Sequence, residues 1–179
     1  MNNPTPAVKQ STIVVGTDVP RTDAIPKVTG AAQYVADLHL RGMLHAAVLR
    51  PEYAHAKILK IDTAEAESMP GVVKVVTGKG CTYRYGDNIR DLVPMAIEKV
   101  RYIGEPVAAV VADTVAHAEA ALAKIKVDYE PLPVYVDARD AMKEDALLIH
   151  EENGDYWHLP TLKPIKGTNI ANVYHLLKG

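Results

Sequence analysis

The chain has 179 residues, a length typical of one domain. Apolar residues make up 48 % and charged residues 23 %, a globular mix that excludes disorder as the main state. The net charge is −2 and the two signs are interleaved, which predicts neither a nucleic-acid nor a membrane-surface partner. No apolar run is long enough to cross a bilayer, and residues 1–10 do not resemble a secretory signal.

The cysteine and aromatic content further narrows the class of protein. A single cysteine, Cys81, excludes an internal disulfide framework and a cysteine-based zinc site. It suits a reducing compartment, so we expect a cytoplasmic protein. The chain has nine tyrosines and no phenylalanine, so we expect a core of small aliphatic side chains.

The first half of the chain predicts strands around one short helix. Residues 1–20 are predicted to be a flexible tail. Residues 43–49 are almost continuously apolar, as in a strand covered on both faces. Apolar and polar side chains alternate in residues 56–61, and residues 72–77 are largely β-branched, so both segments predict strands. A helix capped by Asp62 is predicted between them. This strand–helix–strand order predicts a right-handed parallel crossover.

A long loop and a helix dominate the next stretch. Residues 78–94 are rich in glycine and polar side chains, and loops of this length are often functional. Residues 99–103 and 106–112 are predicted to pair as a hairpin. Residues 114–124 carry an apolar stripe at helical spacing behind a capping residue, Asp113 or Thr114.

The remaining elements complete an α/β fold, a mixed sheet with helices. Apolar and polar side chains alternate in residues 125–129, which predicts a strand. After an interruption by two prolines, the strand is predicted to continue in residues 134–136. Asp137 is predicted to cap a short helix that runs to Met142. Residues 169–178 have the pattern of a further strand, which needs an edge to pair with.

No pattern for catalysis stands out among the reactive residues. Gly78, Lys79 and Gly80 lack the preceding glycine and the following serine or threonine of a phosphate loop. The seven histidines have no metal-ligand spacing, and Cys81 has no activating partner in sequence. We therefore assign no catalytic, cofactor-binding or metal-ligating residue.

One turn has two interpretations. Gly104, Glu105 and Pro106 place a carboxylate in a tight turn between two strands. Turn chemistry explains the glycine and the proline and is the favoured interpretation. The alternative is a loop at an interface or a channel.

Eight segments in series carry a resemblance. They are RTDAIPKVTGAAQYVAD (21–37), GMLHAAVLRP (42–51), HAKI (55–58), PGVVKVVTGK (70–79), KVRYIGEPVAAVVA (99–112), AEAA (118–121), VDYEPLP (127–133) and HEEN (150–153). In this order they resemble the N-terminal α/β hammerhead domain of the molybdenum hydroxylases, the xanthine dehydrogenase and aldehyde oxidase family.

The resemblance implies a function that composition does not show. Family members hydroxylate a purine, another N-heterocycle or an aldehyde, with water as the oxygen source. The hammerhead domain would span residues 21–150, and residues 151–179 would be an arm toward a molybdopterin-binding region. Molybdopterin cytosine dinucleotide, two [2Fe-2S] clusters and FAD would lie on partner chains: a molybdopterin-binding, an iron–sulfur and an FAD subunit. The chain would not be catalytic alone.

Within the long loop, the resemblance implies an approach to the substrate channel, with Tyr83 and Tyr85 as candidate lining groups. The alternative is that these tyrosines pack the loop onto the domain. For the whole chain, the alternatives are a non-enzymatic binding or assembly module and a truncated fragment of a larger subunit.

Overall fold

The computed structural model describes residue 16 and residues 18–174. Two compact units are present, divided between Arg41 and Gly42. Most of the predicted tail lies outside the described residues. In the part of the chain that is described, no helix has the length and apolar content that a bilayer crossing requires.

The first unit is built from short local elements. Its helix α1 spans Ala24–Val28, and a 3₁₀ turn spans Val35–Asp37. Asp23 precedes α1 and forms ion pairs with Arg21 and Lys27, at 3.0 and 2.5 Å. Between residues 18 and 41 no side chain is buried, so these elements have no core of their own.

The second unit contains six strands and three helices among its described residues. In chain order they are β1 (His45–Leu49), β2 (Ala56–Asp62), α2 (Ala64–Glu67), β3 (Val72–Thr77), β4 (Lys99–Val100), β5 (Ala108–Ala112), α3 (Val115–Leu122), β6 (Lys126–Pro131) and α4 (Ala138–Ala141). The strands form two antiparallel sheets, ordered β1–β5–β3 and β4–β2–β6. Small helices and antiparallel sheets together give the expected mixed class.

Two packed clusters form the core of this unit. In one, β3 and β5 pack against α2 and α3, with Val110 at its centre. In the other, Ala56 of β2 and Val100 of β4 pack with Val107. Ile61 and Val127 contact both clusters and connect them. The largest fully buried side chains are valines, as expected for a chain without phenylalanine.

The helix and strand predictions are confirmed at several positions. The strands at 56–61 and 72–77 are present, and so is the alternating strand before Pro131. Thr114 caps α3 by accepting a hydrogen bond from the amide of His117. Asp137 caps α4 in the same way through the amide of Arg139.

The predicted parallel crossover is wrong. β2 and β3 lie in different sheets, and every strand pairing described is antiparallel. Only residues 63–71 separate these strands, and α2 is a single turn of four residues. A crossover to a parallel neighbour needs a dozen or more residues, so this connection is too short.

The predicted hairpin between residues 99–103 and 106–112 is also wrong. β4 pairs with β2, whereas β5 pairs with β1 and β3. The amide of Arg101 donates to the Glu105 carboxylate at 2.6 Å and is therefore not available to a strand ladder.

Three strand predictions need smaller corrections. β1 is an edge strand whose residues alternate between half-buried and exposed, so it is not covered on both faces. Residues 134–136 form no strand, because Pro133 has no amide hydrogen and its carbonyl is bonded by His55. Residues 169–174 form no strand, and residues 175–178 lie outside the described residues.

Candidate functional site

Contacts at its base and at its tip hold the long loop of residues 78–94. It leaves β3 through a 3₁₀ turn, Gly78–Gly80, where a side chain on Gly78 would overlap the carbonyl of Ala96. Two backbone hydrogen bonds, of 3.0 and 3.2 Å, then join Tyr85 and Leu92 as an isolated bridge. The predicted loop is therefore present, and its conformation is held by backbone hydrogen bonds.

The loop tip contacts the segment around residue 157. The amide of Arg90 donates to the Trp157 carbonyl at 2.9 Å, and its guanidinium lies 4.5 Å from the centre of the indole ring. The amide of Leu159 donates to the Asn88 carbonyl at 3.0 Å. This second set of contacts fixes the far side of the loop.

Tyr83 and Tyr85 lie side by side on this loop. Their ring centroids are 6.2 Å apart, and the residues are 64 % and 46 % exposed. Tyr83 is therefore mostly open, whereas about half of Tyr85 is covered, and the channel role of the pair stays a prediction. Both rings present an open aromatic surface.

Glu105 turns its carboxylate into the protein. It is buried, and the amide of Arg101 donates to it. Burial raises the pKa of this carboxyl, and the hydrogen bond from Arg101 opposes the rise. Gly104 has φ of +80°, a conformation suited to glycine, and its carbonyl accepts a hydrogen bond from Arg50. The carbonyl of Pro106 accepts a hydrogen bond from the amide of Ala96. The geometry thus favours the turn interpretation of the three residues.

A charged cavity of about 430 Å³ opens beside the loop. It is lined by Arg84, Val93, Ile97, Glu98, Arg101, Glu151, Glu152 and Tyr156. Arg84 pairs with Glu152 at 2.8 Å and lies 4.8 Å from the centre of the Tyr156 ring. The charged side chains that line the cavity are thus largely paired with one another.

Lys99 and Arg101 hold the segment that borders this cavity. The buried Lys99 ammonium donates to Glu151 at 2.6 Å and to the Leu148 carbonyl at 2.8 Å. The Arg101 guanidinium donates to the Ile149 carbonyl at 2.9 Å. Burial is the largest single influence on the pKa of Glu151 and acts to raise it, but the hydrogen bond from Lys99, a backbone hydrogen bond and the charges of Lys99 and Arg101 together lower this pKa below its ordinary value.

The surroundings of His150 favour the neutral form of its ring. Burial is the main cause and the charge of Arg101 the next, and together they lower the pKa of His150 to about 4. Its Nδ1 lies 3.3 Å from the Tyr156 hydroxyl, and the two rings meet edge to face.

Two asparagines fix the segment that follows. The Asn153 amide nitrogen donates to the carbonyls of Ile165, Thr168 and Ile170 at 2.8 to 3.2 Å. The Asn169 amide bonds to the carbonyls of Ala141 and Leu147, and its oxygen accepts from the amide of Ile149. We call Lys99, Arg101, Asn153 and Asn169 the polar anchor, and residues 148–170 the anchored segment.

Sequence reasoning missed the polar anchor. The only signal for it is the HEEN segment, in which Asn153 follows two acidic residues. Among the described residues, no group of three or more His, Cys, Asp or Glu side chains could hold a metal ion. Cys81 is half-buried, and His117 is exposed beside Asp113.

Comparisons with known proteins match most of the second unit. A family model described as "Aldehyde oxidase and xanthine dehydrogenase, a/b hammerhead domain" matches residues 29–133. A probable xanthine dehydrogenase component of Bacillus subtilis is 42 % identical over 134 residues, which cover 74 % of this chain and 18 % of that protein.

Two solved structures resemble the chain in both fold and sequence. The aldehyde oxidoreductase of Desulfovibrio gigas matches with a TM-score of 0.65 and 38 % identity, over 77 % of this chain and 17 % of that one. Quinoline 2-oxidoreductase from Pseudomonas putida 86 gives the same TM-score and identity over 73 % of this chain and 18 % of that one. The chain thus spans less than a fifth of the length of each of these relatives.

Proposed function

The chain belongs to the hammerhead-domain family of the aldehyde oxidases and xanthine dehydrogenases, and from this membership we propose that it is the hammerhead component of a molybdenum hydroxylase. The complex hydroxylates a purine, another N-heterocycle or an aldehyde, with water as the oxygen source. The names of the relatives, a xanthine dehydrogenase component, an aldehyde oxidoreductase and a quinoline oxidoreductase, support this range of substrates.

The charged cavity does not fit a pterin dinucleotide, because both of its arginines are engaged by carboxylates or carbonyls. A pterin dinucleotide carries phosphates, which need free cations or amides. We propose that molybdopterin cytosine dinucleotide, [2Fe-2S] clusters and FAD are bound by partner subunits, that the complex is cytoplasmic, and that this chain is not catalytic alone.

The exposed apolar surface of residues 18–41 supports assembly with a larger polypeptide. Seven large apolar side chains of this segment are more than half exposed: Val19, Ile25, Val28, Tyr34, Val35, Leu38 and Leu40. Apolar exposure of this density marks a contact surface in a stable protein. A molybdopterin-binding subunit, corresponding to the remaining length of the relatives, is the partner that we propose.

Tyr83 and Tyr85 are proposed to line the path of the substrate. Their rings are exposed and adjacent, and the loop that carries them is held at its base and at its tip. Exposed aromatic faces bind flat heterocycles by stacking. In the complex, we expect Tyr83→Ala with Tyr85→Ala to raise KM severalfold with little change in kcat. Unchanged KM would remove the tyrosines from the path.

A pull-down from the native host tests the assembly. The tagged full chain is isolated at low salt, and the eluate is assayed for molybdenum, iron and co-eluting polypeptides; an untagged strain is the control. We expect both metals to elute with a larger polypeptide. A chain that elutes alone and free of metal would overturn the proposal and leave a non-enzymatic module.

A further inference from the structure

Arg84 lies between Tyr83 and Tyr85 in the long loop, yet its contacts differ from theirs. The centroids of the two tyrosine rings are 6.2 Å apart, so the rings lie on the same side of the chain. The Arg84 side chain is 32 % exposed and contacts the anchored segment. In an extended segment, side chains two residues apart share one face and the side chain between them takes the other. The contacts of Arg84 therefore decide on which side the two rings are presented.

Three groups hold the Arg84 guanidinium. Its Nη2 donates to the Glu152 carboxylate at 2.8 Å, and its Nη1 donates to the Asp91 carbonyl at 3.4 Å. Its Cζ lies 4.8 Å from the centre of the Tyr156 ring. Asp91 belongs to the returning side of the loop, whereas Glu152 and Tyr156 belong to the anchored segment. One side chain thus ties both sides of the loop to a third segment that is distant in sequence.

The ring beneath Arg84 is a firm base. Tyr156 is 6 % exposed, and its ring meets His150 edge to face. The comparable contact at the loop tip joins Arg90 to Trp157, which is 50 % exposed. The attraction between a cation and an aromatic ring is stronger where water is excluded. Of these two contacts, we therefore expect that of Arg84 to restrain the loop more strongly, and it also adjoins the tyrosine pair.

We propose that Arg84 is a positioning residue, which holds Glu152 and Tyr156 and thereby fixes the placement of Tyr83 and Tyr85 along the substrate path. The proposal rests on the proposed function, because the two rings line that path only if the function is correct. Lysine would not replace Arg84 fully, since an ammonium lacks the planar face that stacks on a ring.

Ring-to-ring NOEs in the purified full chain measure this placement. We expect Arg84→Ala to lose the NOE between Tyr83 and Tyr85, because the loop is then no longer tied to the anchored segment. Arg84→Lys keeps a charge for Glu152 without the stacking face, so the NOE should be weakened. The rings of Tyr53 and Tyr129, with centroids 5.1 Å apart, are the internal reference, and their NOE should persist in both variants.

Arg139→Ala is the matched control, because that arginine side chain is 90 % exposed. Both NOEs should stay unchanged in it. A Tyr83–Tyr85 NOE that persists in Arg84→Ala would overturn the proposal. Loss of both NOEs would also overturn it, because Arg84 would then support the whole fold rather than the ring pair. These measurements need no partner, so they can fail even if the pull-down recovers the complex.

A double-mutant cycle in the isolated complex tests the link to the substrate path. With quinoline, hypoxanthine and benzaldehyde as probes, Arg84→Ala should raise KM about fivefold at unchanged kcat, as the loss of one partly desolvated cation–ring contact implies. The same substitution should leave KM unchanged in a chain that already carries Tyr83→Ala and Tyr85→Ala. An equal rise in both backgrounds, or no rise in either, would overturn the positioning role. Turnover of none of the three probes would overturn the proposed function and, with it, the substrate-path part of this proposal.

Discussion

The core around β5 and the anchored segment are held by different forces. In the core, Val100, Val107 and Val110 have no exposed surface, and apolar burial dominates. The anchored segment has no helix or strand, and its described buried residues are Asn153 and Tyr156. Side chains of the polar anchor bond its backbone carbonyls. Because few residues of the anchored segment are buried, its conformation depends mainly on these hydrogen bonds.

Removal of the Asn153 donors should give the largest effect. Asn153→Asp replaces an amide that serves three carbonyls with a carboxylate that repels them. We expect a loss of about 3 kcal/mol or more in the free energy of unfolding, since a buried charge without a partner is left behind. Urea denaturation measures it, and hydrogen exchange should quicken first between residues 163 and 171.

Asn172→Asp is the matched control. The Asn172 side-chain oxygen accepts hydrogen bonds from the amides of Lys163 and Val173, and aspartate keeps that acceptor. We expect a change within about 0.5 kcal/mol. Equal losses in both variants would show that Asn153 does not act through its donors.

A core truncation should cost slightly less and act globally. Val110 lies at the centre of β5, opposite Ala47 of β1 and Val75 of β3. Val110→Ala should lower the free energy of unfolding by about 2–3 kcal/mol, from lost burial and a residual cavity. Val136→Ala, at a side chain that is 95 % exposed, should be neutral. A loss confined to the anchored segment would contradict the separation of the two regions.

The anchored segment should be the acid-sensitive region. The pKa of His150 is lowered to about 4, so the folded state binds fewer protons than the unfolded state between pH 4 and 6.5. The contribution of the neutral His150 ring to the free energy of unfolding is fully present above pH 6.5 and is lost as the pH falls toward 4. Arg101 and Lys99 oppose the charged ring, while Asp91 and Glu151 favour it.

His150→Gln should flatten this acid slope. The expected difference between the wild type and the variant is on the order of 2 kcal/mol across the window, after allowance for solvent screening. Urea midpoints at a series of pH values measure it, with His39→Gln as the control. A slope that His150→Gln leaves unchanged would mean that the histidine does not titrate there.

Glu105 should give the smallest effect, with the opposite sign. Its pKa is raised above the ordinary value of 4.5, so the folded state retains the proton longer than the unfolded state. The contribution of the protonated Glu105 carboxyl to the free energy of unfolding is fully present below pH 4.5 and is lost as the pH rises through the pKa of the folded state. Glu105→Gln keeps an oxygen for the Arg101 amide and should remove this decline, which the same pH series of urea midpoints would detect. A decline that persists in the variant would assign it to another group.

Local signals predict much of the element content. Thr114 and Asp137 mark the starts of α3 and α4, because a side-chain oxygen at the cap satisfies amides that the helix cannot. The β-branched run in Val72–Thr77 predicts β3 for a similarly local reason. The candidate site is less predictable. Tyr83 and Tyr85 stand out in a glycine-rich loop, whereas no local pattern marks Arg84, between them, as the partner of Glu152 and Tyr156.

The sequence by itself determined the class, the family resemblance and most helix and strand positions, because these depend on composition and short-range pattern. Only the tertiary structure decided which strands pair, that Glu105 turns inward, and that Lys99 and Asn153 hold a segment without secondary structure. Each of these outcomes depends on groups distant in sequence: Lys99 on Glu151, and His55 on Pro133. Which of these contacts form depends on the free energy of the whole fold, in which all possible burials and hydrogen bonds compete, so a local sequence pattern does not predict them.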